Sequence, residues 1–212
     1  MTSRRRTFRF RHASLAVLLT LLAGCELLSA NPQRQLYRTT PAFTFPAGLP
    51  HVGAQLLIAA PAAPAALDSR RIALTRSPVS MDYYADAEWT DRVPFLVQDA
   101  LVDGFEKSAA VPAVAPDRGG LRADYLLDTA IDDFAAAYDS PNAAPRIRVA
   151  LTVKLVRMPD RKIVAHTSVS REQQAAANAM PEIVEAFDGA LGGAVQDLVV
   201  WTVSNPALSP RR

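Results

Sequence analysis

One stretch decides the fold of this chain: RIRVALTVKLVR, residues 146–157. Apolar residues alternate there with charged or polar ones, which is the period of a β-strand that has one buried face. Leu151 is expected to point into a core and Arg148 into solvent. A turn at Pro159-Asp160 leads into a second alternating run, Ile163–Val169. The two runs are therefore predicted to form an antiparallel hairpin.

Working outward from this hairpin, further short runs read as strands and two longer segments have helical spacing. The predicted strands are Leu36–Thr40, Val52–Ala60, Ile72–Thr75, Val79–Tyr84 and Asp124–Phe134. The predicted helices are Val93–Phe105, with Thr90 or Asp91 as its N-cap, and a segment from about Pro181 to Trp201, whose Gly189, Gly192 and Gly193 allow close packing. One-sided strands and two amphipathic helices predict an α+β fold: a two-layer sandwich, in which two helices cover one face of a mostly antiparallel sheet.

The N-terminus has the pattern of a secretion signal. Five arginines and no acid occupy the first twelve residues, and the apolar run Ala13–Leu22 follows. This run is shorter than the ~20 apolar residues that a membrane-spanning helix needs. Residues 22–25, Leu-Ala-Gly-Cys, resemble the bacterial lipobox, in which the cysteine receives a diacylglycerol, the chain is cut before it, and the new amine is acylated, for example with palmitate.

This pattern predicts four parts in the chain. They are a signal peptide (1–24), the lipidated Cys25 with a tether (25–35), one domain (36–202) and a disordered tail (203–212). Acyl chains on Cys25 would be the anchor to the membrane, since two or more such chains give stable attachment. Glu26 follows the cysteine. Because Asp at this position favours retention in the inner membrane and Glu is a weaker case, the outer membrane is the expected location.

Removal of the signal changes the charge of the chain. The full sequence has 23 Lys+Arg and 21 Asp+Glu, and loss of five arginines leaves 18 basic residues, a net charge of −3. The basic balance therefore belongs to the precursor and gives no support for nucleic-acid binding. Cys25 is the only cysteine, so the exported domain has no intramolecular disulfide and depends on its apolar core.

A search for catalytic or metal-binding patterns finds none. His166 is expected to be a solvated strand residue, because it alternates with Ile163, Ala165 and Thr167. The carboxylates Asp128, Asp132 and Asp133 are interpreted as a charged sheet face opposite the basic residues of the 146–157 strand. Asp68-Ser69-Arg70-Arg71 is interpreted as a turn between strands. No catalytic residue, metal ligand or cofactor is therefore predicted, and the chain is not expected to be an enzyme.

Aromatic residues cluster just before the first predicted helix. Tyr83, Tyr84 and Trp89 are candidate partner-binding residues, because aromatic side chains often anchor protein interfaces. The alternative is that these side chains only pack in the core beneath the helix.

Several motifs in fixed order resemble a known family. They are the lipobox, Pro64-Ala65-Ala66-Leu67-Asp68-Ser69-Arg70-Arg71-Ile72-Ala73-Leu74, Tyr83-Tyr84-Ala85-Asp86-Ala87-Glu88-Trp89-Thr90-Asp91, and Tyr125-Leu126-Leu127 leading to Phe134. Together they resemble the ABC-type transport auxiliary lipoprotein component family over about Leu36 to Trp201.

The resemblance implies a non-enzymatic lipoprotein that faces the periplasm. Its implied partners are an MCE-domain protein and ABC transporter subunits, in systems that move lipids or other hydrophobic molecules between the two membranes. The implied role is that of a membrane-tethered docking component, and a homo-oligomer is compatible with it. Two other classes stay open: an adaptor of another envelope assembly or secretion machine, and a lipoprotein hydrolase.

Overall fold

The computed structural model describes residues 34–118, 120–158 and 160–208. The predicted signal peptide, Cys25 and nearly all of the predicted tether lie outside these residues. The described strands are β1 (Gln35–Tyr37), β2 (Gln55–Ile58), β3 (Arg71–Ser77), β4 (Ser80–Trp89), β5 (Ala113–Pro116), β6 (Tyr125–Ala137), β7 (Arg146–Arg157) and β8 (Lys162–Gln174). The helices are α1 (Val93–Ser108) and α2 (Met180–Val203), and a 3₁₀ turn, Pro206–Leu208, follows α2.

Strand β6 is the centre of a single mixed sheet. Along one edge it pairs antiparallel with β7, which in turn pairs antiparallel with β8. The other edge of β6 is shared by two parallel strands, β2 near its beginning and β3 near its end. Strand β4 pairs antiparallel with β3, while β1 and β5 add parallel to β4 and β2. The long ladders are thus antiparallel and the short ones are mostly parallel.

The β7–β8 hairpin forms as the sequence predicts, with one exception. Five alternating residues of β7 are fully buried: Ile147, Val149, Leu151, Val153 and Leu155. Arg148 and His166 are exposed, as expected. The expected inward position of Ile163 is wrong, because Val164 is an extra residue in the ladder between Leu155 and Val156. Such a bulge moves Ile163 to the opposite face, where 53% of it is exposed.

Helix α1 begins without a side-chain cap. Its N-cap is Arg92 rather than the expected Thr90 or Asp91. A backbone hydrogen bond takes the place of a side-chain cap: the Val93 amide donates to the carbonyl of Ser69 at 3.1 Å. Asp91 instead accepts from the Arg92 amide at 2.7 Å.

The two helices contact each other at a glycine. A Cβ atom on Gly104 of α1 would lie 2.4 Å from Cγ1 of Val195 in α2, so only glycine allows this approach. In α2 the expected close packing of the glycines is confirmed, and the three glycines do not all face the same element. Gly189 and Gly193 face side chains of β8, and Gly192 faces an extended segment before β2.

This segment, residues 38–45, is called the strap because it crosses both helices. The Thr40 amide donates to Oδ1 of Asp188 at 2.8 Å, and the side chain of Gln196 donates to the carbonyl of Thr44. Phe43 lies beside Gly104 in α1. Burial raises the pKa of Asp188, although the hydrogen bonds from Thr40 act against that rise. The strap therefore connects the start of the described chain to both helices.

The chain after α2 packs on the domain up to Leu208, the last described residue. Leu208 is 2% exposed, and the hydroxyl of Tyr125 donates to the carbonyl of Ala207 at 2.7 Å. The expected disorder of residues 203–212 is therefore wrong for 203–208, because apolar burial and one hydrogen bond hold the turn on the sheet. Residues 209–212 lie outside the described part of the chain.

These elements make a mixed α/β domain with an eight-stranded sheet and two helices. Both helices share one core with the inward residues of the sheet, which confirms the expected combination of a sheet with two amphipathic helices. The two-layer sandwich stays a prediction. Among the residues that the structure describes, neither helix is long and apolar enough to cross a membrane.

Candidate functional site

Trp89 lies in the core and not on a surface. It is 0% exposed, and its ring packs edge-on against Phe134 at 6.0 Å and Phe187 at 5.1 Å between centroids. Strand β4 runs directly into the turn before α1, and Trp89 at its end packs between Phe134 of β6 and Phe187 of α2. The expectation that Trp89 anchors a partner is therefore corrected: the alternative role, core packing, is the one that its position allows.

Tyr83 and Tyr84 point to opposite faces of the sheet, as neighbours in a strand must. The hydroxyl of Tyr83 donates to the carbonyl of Ala66 at 3.0 Å. The guanidinium of Arg71 lies 3.6 Å from the centroid of the Tyr83 ring. This pair lies on the same face of the sheet as the exposed charged residues of β6 and β7, called the outer face.

Tyr84 lies on the helix side, in a chain of hydrogen bonds. Its hydroxyl is 2.8 Å from that of Tyr138, which donates to Oδ1 of Asn178 at 2.7 Å. Burial, together with the bond to Tyr138, raises the pKa of Tyr84 well above its ordinary value. The three candidate aromatic residues thus do not form one surface, because strand alternation separates residues that are adjacent in sequence.

The outer face carries a charged ladder across β6, β7 and β8, in agreement with the interpretation of the three carboxylates. Thr152 donates to Oδ2 of Asp132 at 2.6 Å and shares a 2.9 Å hydrogen bond with Ser168. Arg148 pairs with Asp133 at 2.5 Å. Burial raises the pKa of Asp133, and the positive charge of Arg148 opposes that rise.

Beside this ladder, one row of apolar residues crosses five strands. In register order it is Ile163, Val156, Leu126, Leu57 and Ala115. Leu57, Leu126 and Val156 form a small cluster separate from the main core. Only Ile163 among the large members is widely exposed. Sequence reasoning missed the place of Ile163 in this row, because the bulge at Val164 turns Ile163 outward and nothing in the local alternation indicates a bulge.

The described residues contain no group of three or more His, Cys, Asp or Glu arranged to hold a metal ion. Asp128 lies opposite Lys154 in the β6–β7 ladder, and Lys154 lies opposite His166 in the β7–β8 ladder. Cys25, the predicted lipidation site, lies outside the described residues. The outer face thus combines ion pairs, a stacked Arg–Tyr pair and an apolar row, which makes it the candidate surface for contact with another protein.

A comparison with known families identifies the family of this domain. The model of the ABC-type transport auxiliary lipoprotein component matches residues 35–199. The chain belongs to that family, and the resemblance found in its motifs is confirmed.

Two solved structures and one relative are similar to this chain. A crystal structure of a protein from Xanthomonas campestris has a TM-score of 0.74 and 28% identity, and the match covers 80% of this chain and 94% of that one. A second crystal structure, of an uncharacterized protein, has a TM-score of 0.61 at 14% identity, covers 79% of this chain and 97% of that one, and shows the fold alone. An uncharacterized protein of Bradyrhizobium diazoefficiens is 32% identical over 190 residues, 86% of this chain and 49% of the relative. The chain thus spans about half the length of that relative.

Proposed function

We propose that this protein is a periplasm-facing accessory subunit of an ABC transporter system with an MCE-domain partner, which moves lipids or other hydrophobic molecules between membranes. Acyl chains on Cys25 tether it, and the folded domain docks the partner. Membership of the auxiliary lipoprotein family over residues 35–199 is the observation that carries this proposal. Membership of this family implies partner proteins. The sequence itself contains no recognisable catalytic pattern.

The outer face of the sheet is the proposed docking surface. Arg and Tyr are residue types that dominate the energy of protein interfaces, and Arg71 and Tyr83 are stacked there. Exposed Ile163 continues an apolar row whose other large members are buried, so a partner that covers it extends an existing cluster. Tyr83 replaces the three-residue aromatic segment as the proposed anchor, because Trp89 is buried and Tyr84 points to the helix side.

Co-purification tests the docking proposal with a matched pair of neighbours. The tagged lipoprotein is recovered from detergent extracts, and its partners are identified by mass spectrometry. Tyr83→Ala and Ile163→Asp are expected to reduce recovery of the MCE-domain protein several-fold. Ile163→Asp should change the melting temperature little, whereas Tyr83→Ala also loses its hydrogen bond to Ala66 and is compared with the wild type below its own melting temperature. Tyr84→Ala is expected to lower the melting temperature and to leave recovery of the MCE-domain protein unchanged, since it removes the hydrogen bond to Tyr138 and leaves the outer face intact.

Two results would contradict the proposal at different levels. If Tyr84→Ala weakens recovery and Tyr83→Ala does not, the docking surface is on the helix side. If the wild-type protein recovers components of a secretion or assembly machine and no transporter subunit, the adaptor function replaces the transport function.

The proposed location is the outer membrane. The residue after the predicted lipidated cysteine motivates this location: it is Glu26, whereas Asp is the stronger signal for retention in the inner membrane. Separation of the two membranes on a density gradient tests this location. Recovery of the protein in the inner-membrane fraction would overturn it.

A further inference from the structure

The hairpin between β3 and β4 ends in an exposed, uncharged tip, Ser77-Pro78-Val79-Ser80-Met81. Val79 is 95% exposed, more than any other large apolar residue in the described chain. Met81 is 38% exposed. An apolar side chain held this far from the core gains nothing from folding, so its place is not explained by the stability of the domain.

The tip is built so that transfer from water to an apolar environment costs little. The hydroxyls of Ser77 and Ser80 bond to each other at 2.8 Å, and Pro78 has no backbone N–H. The nearest charges, Arg76 and Asp82, form an ion pair at 3.3 Å one step behind the tip. No unpaired charge would therefore enter an apolar phase together with Val79.

The direction of β1 relates this tip to the predicted anchor. Strand β1 runs parallel to β4, with Gln35 opposite Ala87. Since β4 begins at the tip, the N-terminal end of β1 is directed toward the side of the tip. Another exposed apolar residue, Leu36, lies in β1 itself and is 53% exposed.

The distances are compatible with contact between the tip and a membrane. The six residue steps from Arg71 to Ser77 extend the hairpin about 20 Å toward the tip. The ten peptide units from Cys25 to Gln35 reach at most about 35 Å. An anchor at Cys25 therefore reaches the level of the tip with about 15 Å to spare.

We propose that the β3–β4 hairpin tip, with Val79 at its apex, inserts into the lipid surface of the membrane that holds Cys25. This contact gives the tethered domain a fixed orientation, and it leaves the exposed Ile163, near the far end of the sheet, away from the membrane. The proposal rests on the proposed lipidation of Cys25.

The test uses the acylated, full-length mature protein with one introduced thiol. Val79→Cys is labelled with an environment-sensitive NBD dye, and Leu121→Cys is the matched control, because Leu121 is 56% exposed and precedes β6 near the other end of the sheet. Both proteins are reconstituted into vesicles of phosphatidylethanolamine and phosphatidylglycerol, with and without brominated acyl chains. We expect NBD at position 79 to emit at shorter wavelength and to be quenched several-fold more by brominated lipid than NBD at position 121.

Each outcome separates the insertion from the lipidation on which it rests. Cys25 is the only natural cysteine, so acylated wild-type protein takes up no dye, and dye uptake by it shows that lipidation has failed. If the wild type takes up no dye and position 79 is quenched no more than position 121, the hairpin insertion is overturned while lipidation stands. A blue shift at position 79 that requires an added protein partner also overturns it.

Discussion

Two adjacent glycines of α2 should respond to the same substitution with opposite signs. Alanine stabilises a helix interior by about 0.5–1 kcal/mol relative to glycine. At Gly193 the new Cβ would lie 3.5 Å from Cγ of Arg171, an ordinary contact, so Gly193→Ala should keep that gain. At Gly192 the new Cβ would lie 2.9 Å from the carbonyl oxygen of Ala42 in the strap, which is a backbone atom.

The strap cannot yield freely at Ala42, because hydrogen bonds from Thr40 to Asp188 and from Gln196 to Thr44 hold it on either side. Overpacking of this kind costs about 1–3 kcal/mol, which exceeds the gain from helix propensity. We expect the free energies of unfolding of the two variants to differ by about 2 kcal/mol, or about 4–8 °C in melting temperature for a domain of this size.

Thermal unfolding followed by circular dichroism measures this difference. The wild-type melting temperature should lie between the two variants, with Gly193→Ala above it and Gly192→Ala below. If Gly192→Ala melts at or above Gly193→Ala, the strap does not contact α2 closely, and the reasoning from its position fails.

Three further predictions concern the core, the anchor and the strap. Leu151→Asp should unfold the domain, since a charge at a fully buried position costs more than ~4 kcal/mol. Arg148→Ala, at the exposed end of an ion pair, should cost no more than ~1 kcal/mol. Equal melting temperatures of the two variants would refute the register of β7. Cys25→Ala should leave an unprocessed or soluble protein in membrane fractionation, and normal maturation of the variant would refute lipidation. Because burial raises the pKa of Asp188, the folded state binds a proton more tightly than the unfolded state. The stability of the wild type should therefore fall relative to that of Asp188→Asn as the pH rises from about 4 through the raised pKa. A difference in stability that stays constant with pH in urea titrations would contradict this.

Sequence reasoning succeeded where the information is local. The alternation of residues 146–157 gave the buried position of Leu151, and helical spacing gave both helices within a few residues at their N-termini. In the candidate site it gave the charged ladder, because residues two apart in a strand share a face.

The remainder of the fold depends on contacts between distant residues. The parallel pairing of β2 and β3 with β6 joins segments about 60 or more residues apart, and no periodicity within a strand specifies its neighbour. Strand β5 is too short for alternation to be detected. The burial of Trp89 follows from contacts with Phe134 in β6 and Phe187 in α2, which both come much later in the sequence and meet Trp89 only in the folded domain.

The strap also fixes an order of events during synthesis. It is made near the start of the described chain, whereas its hydrogen-bonding partners in α2, Asp188 and Gln196, are made about 150 residues later. The β6–β7–β8 hairpins need only local closure and can form early, because short loops lose little entropy. The strap must stay unpaired until the C-terminal helix exists. The strap, which follows the predicted anchor in the sequence, is thus the last segment to dock. Until then, the faces of α1 and α2 that it covers stay accessible to other proteins.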